Sequence, residues 1–234
     1  MKKLISAALI SMFVGFAVSA NAGPYEDGVT AYERKDYVTA AKLYRISADQ
    51  GDALAQVSLG VMYDNGQGVT KDYKKAVKWY RLSADQGDAH AQFTLGVMYA
   101  NGQGVTQDYK EAVKWYRLSA DQGNAKAQYN LGVSYEQGQG VRQDYKKAVK
   151  WYRLTAQQGY SSGQFQLGMS YDTGQGVDQN YVRAHMWFNM AASQGYRDAC
   201  SCRDIVEKKM SPEQIEKAQA MAWRCQSSNF KNCD

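Results

Sequence analysis

The chain has 234 residues, with 28 Lys and Arg against 23 Asp and Glu, a formal net charge of +5. So slight an excess, with no block of like charge, makes no electrostatic case for nucleic acid. Only two histidines occur, His90 and His185, and no H-E-x-x-H, G-x-S-x-G or Walker-type loop accompanies them, which argues against common hydrolase and nucleotide-binding chemistries.

Residues 1–22 read as a signal peptide. Lys2 and Lys3 form a positive start, Leu4 to Val18 an apolar run, and Ala20-Asn21-Ala22 a small-residue cleavage site. Cleavage would leave Gly23 as the first mature residue. It would remove two lysines, so the net charge falls from +5 to +3. No later segment is apolar enough to span a bilayer. The expectation is an exported protein, periplasmic or secreted beyond it, that does not span a membrane.

Residues 23–50 read as a capping helical hairpin. A 36-residue repeat then runs four times without a gap, over 51–86, 87–122, 123–158 and 159–194. A fixed period of this size is the mark of a solenoid, in which each unit buries its apolar face only against its neighbours.

Each unit reads as two antiparallel helices, A and B. In the second copy Asp88 caps helix A, over about Ala89 to Asn101, and Gly102 fits the left-handed position that ends it. Asp108 caps helix B, over about Tyr109 to Gln122. Its Tyr109, Ala112, Val113, Tyr116 and Ala120 form one apolar stripe. Gly60, Gly96, Gly132 and Gly168 sit in the middle of successive A helices, where glycine costs about 1 kcal/mol relative to alanine. A cost repeated in every unit predicts a close approach of two helix backbones. Trp79, Trp115, Trp151 and Trp187 recur at a fixed offset and read as core. The fold class is therefore all-α, an α/α superhelix capped at both ends.

Residues 195–234 depart from the pattern and read as a C-terminal cap. Ser211-Pro212 starts a helix from Glu213 to Cys225. All four cysteines, Cys200, Cys202, Cys225 and Cys233, lie here, and export permits disulfides. On one helix Cys200 and Cys202 would point about 200° apart and could not bond each other. Two pairings then stay open: 200–225 with 202–233, or 200–233 with 202–225. The spacing does not suit zinc, and no metal or other cofactor is expected.

The strings A-Q-x-x-L-G-V-M-Y, G-Q-G-V-x-x-D-Y and A-V-K-W-Y-R-L-S-A-D-Q-G resemble the Sel1-like repeat family, relatives of tetratricopeptide repeats, over about Gly51 to Gln194. The resemblance implies that helix A lines the concave side and that the protein is an adaptor for other proteins, without catalysis. The four units can also be compared with one another. The offsets that vary on helix A are Leu54/His90/Lys126/Ser162, Ser58/Thr94/Asn130/Gln166, Met62/Met98/Ser134/Ser170 and Asn65/Asn101/Gln137/Thr173, spaced i, i+4, i+8 and i+11. They are the candidate groove for a protein or peptide partner in the envelope or outside the cell. One alternative is a binder of cell-wall glycan that stacks sugars on aromatics. A second is a β-lactam or peptidoglycan hydrolase, but the single S-x-x-K, Ser228 to Lys231, has no S-D-N or K-T-G beside it.

Overall fold

A computed structural model describes residues 23–230 and Cys233. The signal-peptide expectation falls on 1–22, outside the described residues, as does Lys231 of the S-x-x-K string. The described residues form twelve α-helices and no strand. They are α1 (Pro24–Glu33), α2 (Tyr37–Asp49), α3 (Ala53–Asn65), α4 (Tyr73–Asp85), α5 (Ala89–Asn101), α6 (Tyr109–Asp121), α7 (Ala125–Gln137), α8 (Tyr145–Gln157), α9 (Ser161–Thr173), α10 (Tyr181–Ser193), α11 (Arg197–Glu207) and α12 (Pro212–Ser227). None is long and apolar enough to cross a membrane.

Helices α1·α2 to α9·α10 pair as hairpins, and each second helix also packs on the first helix of the next unit. The boundaries follow from side-chain chemistry. The Asp88 carboxylate accepts from Ala91 N and that of Asp108 from Lys110 N and Glu111 N, satisfying amides that the helix leaves open. Gly66, Gly102, Gly138 and Gly174 end the A helices in the left-handed region. The second glycine of each loop has a different reason. A Cβ on Gly140 would lie 2.1 Å from the Tyr109 carbonyl oxygen, so the loop of one unit rests directly on the start of the preceding B helix.

The mid-helix glycines do meet a close neighbour, but it is a side chain rather than a second backbone. A Cβ on Gly96 would fall 2.6 Å from the Tyr116 ring, and one on Gly132 would fall 2.5 Å from that of Tyr152. Gly60 faces Tyr80 and Gly168 faces Phe188 in the same way. Each A helix thus lies on the face of an aromatic ring from its own B helix. Trp79, Trp115 and Trp187 are buried, whereas Trp151 is half-buried.

The C-terminal cap differs from the sequence expectation. Helix α12 packs back on α10. Its start matches the reading: Ser211 and Gln214 form a capping box with Pro212 at the first helical position. The disulfide joins Cys225 to Cys233, and Cys200 and Cys202 are free, so neither expected pairing occurs. The elimination assumed that all four cysteines pair. Instead the chain reverses after α12 through left-handed Asn229 and Phe230, bringing the Cα atoms of Cys225 and Cys233 to 4.5 Å.

Candidate functional site

The candidate face lies on α3, α5, α7 and α9. Its outer positions are open: Leu54, His90, Lys126, Asn65, Asn101, Gln137 and Thr173 are exposed, and Ser162 is half-buried. Ser58, Thr94, Asn130 and Gln166 are half-buried. Met62, Met98, Ser134 and Ser170 are buried, so Met98, Ser134 and Ser170 are removed from the candidate surface. The reason is angular. At 100° per residue, position i+8 stands about 80° from i, whereas i+4, i+7 and i+11 all stay within about 40°. The half-exposed i+7 side chains Val61, Val97, Val133 and Met169 take the vacated place. Sequence reasoning missed them because it looked for variation, and three of the four are valine. The buried serines instead satisfy themselves locally, Ser134 Oγ donating to Asn130 O and Ser170 Oγ to Gln166 O, each at 2.8 Å.

The half-buried position touches the buried phenols of the B helices. Burial pushes the Tyr116 hydroxyl up to about 12, and the Asn130 side chain beside it pulls the other way. Burial also raises Tyr44 to about 12, opposed by Ser58. Tyr129 on α7 meets Gln166 on α9, joining the candidate faces of two units. Phe93, Tyr129 and Phe165 pack against Tyr116, Tyr152 and Phe188, with ring centroids 5.7–6.2 Å apart. Phe93, Tyr129 and Phe165 are themselves half-buried and pack against the core.

A cavity of about 620 Å³ lies elsewhere, between α8 and α10, lined by Lys146, Arg153, Tyr171, Asp178 and Arg183. Arg153 and Arg183 both donate to the Tyr171 hydroxyl at 2.9 Å. The same joint recurs along the chain: Arg45 donates to Tyr63, Arg81 to Tyr99 and Arg117 to Tyr135. It fastens each B helix to the next A helix.

Potential catalytic groups are scattered. His90 is exposed on α5, while His185 is buried on α10 with its Nε2 3.2 Å from Glu207. Among the described residues no group of three or more His, Cys, Asp or Glu is placed to hold a metal ion.

Paired helices stacked in one direction, joined by recurring side-chain clamps, define an all-α repeat solenoid. Comparison with known proteins gives the kind of repeat. The family model described as Sel1 repeat matches residues 20–52, 53–88, 89–124, 125–160 and 161–196, and the chain belongs to that family. A Sel1 repeat protein from Oxalobacter formigenes superposes with a TM-score of 0.76 at 34% identity, over 91% of this chain and 84% of that one. A protective antigen of uropathogenic Escherichia coli with an SLR fold superposes with a TM-score of 0.51 at 28% identity, over 88% of this chain and 62% of that one. No curated protein matched the chain. Sel1 repeats generally act as protein–protein interaction scaffolds.

Proposed function

We propose that the protein is an exported scaffold that binds another protein through the exposed face of its A helices. The observation that carries the reading is the division of helix A. One side is buried and, apart from the Met62/Met98/Ser134/Ser170 position, nearly invariant from unit to unit, whereas the open side, apart from its valines, changes from Leu54 and Ser58 to Lys126 and Asn130 and then to Ser162 and Gln166. A rigid array with a varied open face suits recognition of an extended segment, because little ordering entropy is lost on binding. The proposed binding residues are His90, Thr94, Asn101, Lys126, Asn130, Gln137, Ser162, Gln166 and Thr173, with Val97, Val133 and Met169 between them. The proposed site of action is the periplasm or the cell exterior. No catalytic step is proposed.

The test is photo-crosslinking in intact producing cells, with the probe at Lys126 or Gln137 and a control probe at Thr106 in a loop. A discrete partner from both A-helix sites, absent at Thr106 and lost when Asn130 and Gln166 are changed together to Ala, supports the reading. Equal bands at all three sites, or none, reject it.

A further inference from the structure

The B helices carry a second regular surface on their outer side. Ile46, Leu82, Leu118 and Leu154 hold the same offset in successive units and are 48%, 40%, 43% and 36% exposed. Four residues earlier in each helix stand Lys42, Lys78, Lys114 and Lys150, all exposed. Lys74, Lys110 and Lys146 extend the basic edge by another turn. Asp49, Asp85 and Asp121 follow the apolar rung, and α8 has Gln157 there. The edge is therefore predominantly positive beside an apolar row.

Helix α10 differs at both offsets. Met186 replaces the lysine and Met190 the leucine, and both are 0% exposed. Helix α12 packs on α10: its Ala222 and Cys225 belong to the same buried cluster as Met186 and Met190, and Gln226 Nε2 donates to Ser193 Oγ of α10 at 3.0 Å. The chain thus covers one rung of the row with a helix of its own and leaves the four adjoining rungs open. A recess of about 380 Å³ on α6 begins at Leu118 and Val113, runs to Val141, and is edged by Lys110, Lys114, Arg117 and Asp121.

We infer that this outer B face is a second docking surface, and that it takes an amphipathic α-helix of a partner protein bearing acidic residues beside its apolar stripe. Two observations select that occupant. The α12–α10 contact is continuous with the open row and shows that the row accepts a helix. The change from Met186 to lysine at the open rungs replaces a dry contact by a positive edge, which calls for carboxylates on the incoming helix. The surface lies on different helices from the A-helix face, so neither reading rests on the other.

The probe is a synthetic helical peptide with a leucine stripe flanked by glutamates, beside a twin flanked by lysines. Binding to the full mature protein is read by fluorescence anisotropy at low and raised salt. The glutamate peptide should bind saturably, more weakly as salt rises, and the lysine twin should not bind. Leu118→Ser with Leu154→Ser should weaken binding about tenfold or more. Lys114→Glu with Lys150→Glu, at exposed positions with little bearing on folding, should weaken it and reduce its salt dependence. Asn130→Ala with Gln166→Ala should leave it unchanged. The inference fails if both peptides bind alike, or if the charge-reversed protein binds the glutamate peptide as well as the parent. It also fails if phosphatidylglycerol vesicles bind through Leu118 and Leu154 while the peptide does not, since the surface would then face a membrane.

Discussion

Gln158, at the end of α8, donates to the side-chain oxygen of Gln128 across 2.8 Å, and Gln128 donates in turn to the Ala120 carbonyl at 3.1 Å. Gln128 is 4% exposed, yet its amide spans three helices: α7, its own partner α8, and α6 of the preceding unit. The same relay runs through Gln56, Gln92 and Gln164. A buried amide with both ends satisfied fixes the stacking register, whereas an apolar side chain would allow sliding. Gln128→Ala should therefore cost about 1–3 kcal/mol. It should also blunt the cooperativity of urea unfolding, because stability in a linear array is shared through nearest-neighbour interfaces. An unchanged midpoint and slope would show that the relay is incidental.

Gly132 offers a test in which the sign decides. At an open helical site Gly→Ala stabilises by about 0.5–1 kcal/mol. Here the new methyl would stand 2.5 Å from the Tyr152 ring, and overpacking of that kind costs about 1–3 kcal/mol. Gly132→Ala should lower Tm, and Gly132→Leu should lower it much further. The penalty should shrink when Tyr152→Ala is added, giving a clear coupling energy in a double-mutant cycle. A Gly132→Ala protein as stable as the parent would remove the glycine–ring contact from the account.

The repeat made most of the fold legible. Asp caps, left-handed glycines and the 36-residue period place the helix pairs with little ambiguity, and the reading of α5 over Ala89 to Asn101 coincides with the observed helix. Burial was harder to read. Met98 and Ser134 vary between units, so variation alone marked them as surface, whereas both lie in the core. A methionine and a locally bonded serine can each fill that space. The glycine rule gave the position of the close approach but not the neighbour, because the ring comes from a residue 20 positions later in the chain. The cap was least legible. It occurs once, so no second copy shows which of its features matter, and its disulfide depends on a reversal after α12 that brings Cys233 back to Cys225.

Alkaline pH should unfold the array in a defined window. Burial holds the Tyr44 and Tyr116 hydroxyls up at about 12, against 10 for a free phenol. In the folded state these groups remain protonated where the unfolded chain would already ionise. Their stabilising contribution is complete below pH 10 and is lost as pH rises from about 10 to about 12. Tyrosinate absorbance should therefore rise in two parts: exposed phenols first, then a steep step coincident with loss of helical circular dichroism. Tyr116→Phe removes one of the groups and should move that step to higher pH. A smooth single titration with helicity retained past pH 12 would contradict the burial of these phenols.

The disulfide prediction separates the four cysteines into two kinds. Closing the short loop from Cys225 to Cys233 is worth about 2–3 kcal/mol by chain-entropy arithmetic. It also holds the tail where Phe230 touches Gly159 at the end of α8. Cys225→Ser with Cys233→Ser should lower Tm and loosen α12 first, because that helix packs chiefly on α10. Amide exchange should then accelerate in α12 while α3 to α8 keep their protection. Cys200→Ser with Cys202→Ser should leave Tm nearly unchanged, because Cys200 is exposed and Cys202 half-buried. Thiol titration of the denatured, unreduced protein should find two reactive groups. Finding none would show that Cys200 and Cys202 are also oxidised, and uniform exchange in the Cys225/Cys233 variant would show that the bridge does not hold the cap.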